Sequence, residues 1–410
     1  MNIAMLSYHT SPLAALGGKH SGGMNVYVRE LSAQLARIGH RVDIFTRGVA
    51  ASEEVTAPGV RLISLPAGPR REVPKNELAA YIPEFAAAVL SFQQAEGIEY
   101  ELIHAHYWMS GLVGARLKAA WKIPMLLMFH TLGLVKNRIA VLGERESDAR
   151  ILGERRAMAA ADMVVAATPA EQADLQWLYE VHTDRICVVP PGVDLDLFRP
   201  LDKKQAREEL GLAADESLLL FVGRIEALKG IDTLIRAAHL MSSQGSPGGR
   251  KFRVRVVGGD VEEDLEILES EMARLRTLAR ELGMQNFIEF LGSRRQRDLP
   301  SYYAAADVVV MPSYSESFGM VALEAMACGR PVVASRVGGL AYLVQDGLTG
   351  FHVQEGNPGE LAGRLVELLA NEELLEKMGQ AARREAEKYS WERAAMGIEG
   401  IYKKLVMANS

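Results

Sequence analysis

Two glutamates eight positions apart, Glu316 and Glu324, bracket the segment ESFGMVALE. If a helix starts within it, a rise of about 1.5 Å per residue sets them about 12 Å apart. Carboxylates so separated cannot share a proton or flank one bond. They can hold opposite ends of an extended ligand, such as a sugar and a ribose. The helix N-terminus between them, near Phe318 and Gly319, offers N–H groups to a diphosphate. The plainer alternative is a capping glutamate and a solvated helix residue.

A second element, FVGRIEALKG, follows an apolar run and carries Arg224 and Lys229. Two fixed cations at a strand end can neutralise a departing diphosphate, or they are a solvated surface pair. A third, Ser21-Gly22-Gly23-Met24-Asn25, opens the first long amphipathic stretch. Paired glycines let backbone approach phosphate or sugar closely. No G-x-G-x-x-G is present, so this is not a dinucleotide fingerprint, and a simple loop pair is the alternative.

Other constellations carry less. His104 and His106 lie two apart without a third ligand at motif spacing, which favours core or cleft histidines over a metal site. Asp194 and Asp196 form a D-x-D, but they follow Pro190-Pro191-Gly192. The acidic run from Asp260 to Asp264 reads as a solvated loop. Arg70 and Arg71 belong to a surface loop or to a basic patch around Lys75. Cys187 and Cys328, the only cysteines, read as core thiols of a reducing compartment. No serine or cysteine nucleophile has supporting partners.

The elements that must position these residues alternate strand and helix, the pattern of parallel α/β layers. Strands are expected at 2–7, 41–46, 60–65, 101–104, 124–129, 162–167 and 186–189. After a Pro-Gly break they resume at 218–224, 254–259, 287–292, 308–313 and 331–339. Helices are expected over Met24–Ile38, near 229–243 and 264–282, and from about 318. At 410 residues the chain outgrows one core. We expect two doubly wound Rossmann-like domains, 1–192 and 193–390, facing across a cleft, with a helix at 391–410 packing back on the first. Ligands of such sheets sit at strand carboxyl ends, where the motifs lie. A 49% hydrophobic and 24% charged composition is that of a globular protein. A net charge of −6 disfavours nucleic acid or an anionic membrane as partner. No apolar run reaches the roughly 18 residues of a membrane span, and MNIAMLSYHT reads as a strand and not a leader, so a cytoplasmic location is expected.

Taken together in this order, the E-x7-E, G-R-x4-K-G and G-G-M-N-V-Y elements resemble family 4 retaining glycosyltransferases of the GT-B fold. The resemblance runs end to end, through VVPPGVDLDLFRP and EGNPGELAGRL. Within the family, HTSPL, SGGMNVYVREL, HAHYWMSG and HTLGLVKN are most similar to the mycothiol-pathway branch that joins N-acetylglucosamine to inositol phosphate. Sucrose-phosphate synthases share the layout but usually carry glutamine where this chain has Met24. His20 departs from the acidic residue of the mycothiol branch.

The resemblance implies a UDP-sugar, carrying N-acetylglucosamine or glucose, and a small phosphorylated acceptor. By position, Arg224 and Lys229 bind diphosphate, Glu324 the ribose and Glu316 the transferred sugar. His130 lies beside the reacting carbon. Gly22, Gly23, Arg294, Gly319, Met320 and Val321 complete the donor site. Lys75, Tyr107, Thr131 and Arg150 meet the acceptor phosphate, with His9 and Asn25 near its ring. The implied reaction is front-face displacement, the leaving phosphate taking the acceptor proton. No metal or cofactor is required, although Mg2+ could bind loosely, and a homodimer is compatible. A sucrose-phosphate-like product, a lipid or polysaccharide acceptor, and a non-catalytic sensor are the alternatives.

Overall fold

The computed structural model describes residues 1–14, 22–139, 145–213, 215–243, 250–259 and 265–409. Ser21, His20 and the acidic run at 260–264 lie outside the described residues. Eight strands build the first sheet: β1 (Asn2–Leu6), β2 (Arg41–Gly48), β3 (Ser52–Ala57), β4 (Val60–Pro66), β5 (Leu102–His106), β6 (Met125–Met128), β7 (Met163–Ala166) and β8 (Ile186–Val188). Six build the second: β9 (Ser217–Val222), β10 (Phe252–Val257), β11 (Ile288–Phe290), β12 (Val308–Met311), β13 (Val332–Ser335) and β14 (Gly350–Val353). Their orders are β3-β4-β2-β1-β5-β6-β7-β8 and β11-β10-β9-β12-β13-β14. All pairs are parallel except β3 with β4, so these are two Rossmann-like α/β domains.

Strand alternation builds both cores. Ile3 and Met5 face one apolar cluster while Ala4 and Leu6 face another, as the two-residue period of a strand requires. Likewise Leu218, Leu220 and Val222 share the first cluster, and Leu219 and Phe221 turn to a third. That first cluster runs from one sheet to the other through Val193, Phe198 and Trp391. Two crossover segments meet there, Val193 N–H donating to Tyr389 O at 2.9 Å. A Cβ on Gly192 would stand 2.3 Å from the Trp391 backbone nitrogen, so the contact needs glycine. The last helix, Trp391–Asn409, lies on the first domain: Tyr402 Oη meets His104 Nδ1 at 2.7 Å.

The expected strands recur with ends shifted by a few residues, and two elements differ. β3 was not anticipated, because SEEVTA is mostly exposed and charged. It is the antiparallel edge of a hairpin with β4, turned at Pro58-Gly59, a dipeptide that marks turns. The expected strand 331–339 ends at Ser335, and a helix starts at Gly338. There the chain presses on the E-x7-E turn: a Cβ on Gly338, whose φ is +44°, would lie 2.0 Å from Glu316 O.

Each sheet reverses its order once, between β1 and β5 and between β9 and β12. Ligand crevices of open α/β sheets form at such points. The loops that leave β1, β5, β6, β9 and β12 carry most of the residues that follow, with Lys75 after β4 and Arg294 after β11.

Candidate active site

A cleft of about 630 Å³ lies between the domains. From the first domain it is lined by His9, Gly22, Gly23, Asn25, Lys75, Tyr107, His130 and Thr131, and from the second by Arg224, Lys229, Arg294, Glu316, Gly319, Met320, Val321 and Glu324. Arg150 is the one expected site residue outside this lining.

On the second-domain wall the two glutamates have unlike surroundings. Glu316 precedes the helix Met320–Ala327, and its Oε2 takes Lys229 Nζ at 2.7 Å. Glu324 lies inside that helix and is buried. It accepts from Tyr303 Oη at 2.8 Å and from Gln296 Nε2 at 3.4 Å. Burial pushes its carboxyl up to about 7, against the pull of those two donors. Arg224 is paired with Glu226 at 2.5 Å and remains substantially exposed. Arg294 donates to Tyr302 Oη at 2.8 Å.

The first-domain wall is cationic at one end. Lys75 Nζ sits 4.5 Å from the Tyr107 ring centre. Burial, then the charges of Arg150 and Lys136, push this amine down to about 8. Arg150 lies behind the wall. It gives Nε to Glu154 Oε1 at 2.8 Å, Nη1 to Glu146 at 2.5 Å and Nη2 to Thr131 Oγ1 at 3.1 Å. Its guanidinium therefore reaches the cleft through Thr131 and the Tyr107 ring, because two carboxylates hold it back. Asn25 lines the cleft beside the glycine pair: its amide donates to Thr10 Oγ1 and Ser11 O, and its Oδ1 accepts from Gly22 N–H. It clasps the glycine loop with every amide proton occupied.

Four non-glycine residues among those described have positive φ: Tyr107, Lys122, His130 and Glu180. Lys122 and Glu180 are ordinary helix ends. Tyr107 (φ 76°) and His130 (φ 62°) line the cleft, and backbone strain of this kind persists where surrounding structure enforces it.

His104 and His106 are on β5 itself, their rings 4.2 Å apart. His106 Nδ1 meets His130 Nε2 at 3.0 Å. Burial drives His130 and His104 down to about 3 and His106 well below the usual imidazole value, so all three are neutral. Asp194 Oδ1 accepts from the backbone N–H of Asp196 and Leu197, which makes the D-x-D a turn clasp outside the cleft lining. Arg70 and Arg71 are exposed and outside it too. Cys328 is buried and Cys187 partly so.

Sequence reasoning missed Lys136, Tyr27, Glu171 and Gln296, all of which line the cleft. Lys136 stands in HTLGLVKN, where a cation one helical turn from Thr131 and Leu132 was a usable signal. Gln296 had none. It reaches Glu324 only because the loop after β11 folds over the helix, where it also accepts from Arg29 at 2.6 Å across the domains.

Residues 202–385 match the family described as Glycosyl transferases group 1, and residues 22–192 the Glycosyl transferase 4-like domain. A D-inositol 3-phosphate glycosyltransferase of Catenulispora acidiphila is 42% identical over 98% of this chain and 95% of its own. The chain belongs to the glycosyltransferases. Among solved structures, the sucrose-phosphate synthase of Thermosynechococcus elongatus superposes with a TM-score of 0.90, at 34% identity over 99% of both chains. The Anabaena protein HepE, solved with UDP, shares the fold at a TM-score of 0.76 and 22% identity, over 99% of this chain and 100% of its own. The glycosyltransferase therefore has the GT-B fold. No described helix is long and apolar enough to cross a membrane.

Proposed function

We propose that this glycosyltransferase moves a hexosyl group from a UDP-sugar onto an inositol phosphate, with retention at the anomeric carbon. The observation that carries the reading is the division of charge in the cleft. Arg224 and Lys229 face it from one domain, Lys75 and Lys136 from the other, with Arg150 held behind Thr131. Cations on both walls suit two phosphorylated substrates whose reacting atoms meet between them. The kinship with D-inositol 3-phosphate glycosyltransferases supports the acceptor, and HepE's complex with UDP supports the nucleotide.

In this reading Lys229, Arg224 and the N–H groups at Gly319 to Val321 stabilise the departing UDP. Glu316 accepts from hydroxyls of the transferred sugar, beside His130, Gly22 and Gly23. Glu324 holds the ribose, and Arg294 completes the nucleotide side. Lys75, Tyr107 and Thr131 bind the acceptor phosphate, with His9 near its ring. No carboxylate is assigned as nucleophile beneath the sugar, so the leaving phosphate takes the acceptor proton in a front-face displacement. Positive side chains carry the leaving charge, so the scheme needs no resident metal.

The Glu324 role has a pH signature. Ribose hydroxyls donate to its carboxylate form, so bound UDP draws the raised pKa down, and affinity grows as pH rises through about 7. Between pH 8 and pH 6 we expect UDP to bind more weakly by up to about tenfold, from loss of the ionised fraction. Glu324→Gln should flatten this profile in calorimetry, while UDP's own phosphate titrates in both proteins. Equal pH slopes in the two would remove Glu324 from the ribose site.

The likeness to a sucrose-phosphate synthase favours a second acceptor, fructose 6-phosphate. A UDP-release assay decides: UDP-N-acetylglucosamine and UDP-glucose are each offered with inositol 3-phosphate and with fructose 6-phosphate. Turnover confined to inositol phosphate is the expected result. Turnover with fructose 6-phosphate alone overturns the acceptor and keeps the donor site.

A further inference from the structure

His130 enters the proposed reaction with one ring nitrogen already committed. Its Nε2 lies 3.0 Å from His106 Nδ1, so a single proton sits between the two rings. The other His106 nitrogen, Nε2, is buried without a hydrogen-bond partner among the described residues. Two arrangements are open to this neutral pair. If His130 donates, His106 must carry its own proton on Nε2, leaving an N–H buried with no acceptor. If His106 donates from Nδ1, its Nε2 is a bare lone pair. Orphaned buried donors are rarer than orphaned acceptors, and a donor left unmade forfeits its hydration. The second arrangement is the stable one.

We infer that His106 is a positioning residue that locks His130 as the Nδ1–H tautomer, so that His130 presents a hydrogen-bond donor, not an acceptor, to the cleft. No hydrogen bond among the described residues engages His130 Nδ1, and the residue lines the cleft. The lock is rigid on both sides. His104 stacks on His106 at 4.2 Å and is itself tied to Tyr402 of the last helix at 2.7 Å. Tyr27 sets its ring edge-on to both His106 and His130, at 5.6 and 5.1 Å. The other nitrogen's partner decides which face of an imidazole donates. The sugar atom it meets is therefore an oxygen lone pair of the transferred hexose. This last step rests on the proposed function; the tautomer does not.

The test separates them. In protein labelled with 15N-histidine, the His130 ring shifts of the wild type should show a protonated Nδ1 and bare Nε2. His106→Asp, whose carboxylate only accepts, should draw a proton onto His130 Nε2, while His106→Leu offers that nitrogen neither donor nor acceptor. With UDP-glucose or UDP-N-acetylglucosamine and inositol 3-phosphate, its turnover should fall about tenfold, the scale of one neutral hydrogen bond. UDP affinity, read by calorimetry, should stay within about twofold, since UDP is assigned to the other wall. His106→Asn places an amide N–H where Nδ1 was and should restore both the tautomer and most of the turnover. A wild-type His130 carrying its proton on Nε2 overturns the inference, whether or not His106→Leu folds. So does a His130 Nε2 that stays bare in His106→Asp. Absence of UDP binding in the wild type, with the tautomer as expected, overturns the proposed function and leaves the lock standing.

Discussion

Lys229→Ala is expected to lower turnover of the UDP-sugar by about 100-fold or more, the scale for losing a charge partner of a transition state. The amine is mostly buried and bonded to Glu316 at 2.7 Å, so its charge acts where water screens it little. Its loss does two things. The departing diphosphate forfeits a cation, and the Glu316 carboxylate, no longer compensated, faces the same anion. Glu316→Gln in the Lys229→Ala background should then recover part of the loss, a non-additivity that a double-mutant cycle reads directly. Arg224→Ala should also cost about 100-fold, without such rescue by Glu316→Gln, because Arg224 pairs with Glu226 instead. Wild-type turnover in Lys229→Ala would sink the donor assignment.

Glu154→Gln should destabilise the first domain by about 3 to 5 kcal/mol, the cost of breaking a buried ion pair by removing one partner. Glu154 is fully buried. Its carboxylate accepts from Arg150 Nε, from Gly133 N–H at 3.0 Å and from Tyr179 Oη. Replacing it leaves the Arg150 guanidinium with Glu146 as its remaining carboxylate. The consequence reaches the cleft, since Gly133 opens the helix that carries Lys136 and Arg150 holds Thr131. Denaturant unfolding should show the loss of stability. Kinetics should show a raised KM for inositol phosphate with UDP affinity preserved. A stability change below about 1 kcal/mol would mean that the network contributes no more than a surface pair.

The parallel layers were legible because strand and helix periods are local properties: Ile3, Ala4, Met5 and Leu6 alternate between faces whatever they pack against. The strand ends were less so. β10 stops at Val257 because the next residue, Gly258, crosses Gly223, where a Cβ would lie 1.7 Å from the Gly223 carbonyl oxygen. β13 stops at Ser335 because Gly338 must pack under Glu316. Both stops come from contacts across gaps of 20 residues or more, which no window of sequence contains. The edge strand β3 was hidden for another reason: its charged, exposed residues lack an apolar face.

Among the candidate site residues, residue type and motif order singled out Glu316, Glu324, Arg224, Lys229 and the Gly22-Gly23 pair. The family resemblance supplied the rest, and all but Arg150 line one cleft. Fixed cations, paired glycines and spaced carboxylates follow strands, and α/β connectivity delivers strand ends to one edge. What each does there was decided by tertiary neighbours. Arg150 and Lys75 looked interchangeable as phosphate cations. Folding engages one with Glu154 and Glu146 and leaves the other against the Tyr107 ring. Glu316 and Glu324 looked like a matched pair, yet Lys229 ion-pairs the first while burial lifts the second to about 7. His106 looked like a core histidine beside His104, and only the approach of β6's following loop brings His130 to its Nδ1. The amino-acid sequence by itself determined the fold class, the family and the chemical types present, because those depend on local periodicity and residue identity. Tertiary structure alone decided charge state, hydrogen-bond polarity and which side chains face the cleft, because these depend on burial and on partners far away in the chain.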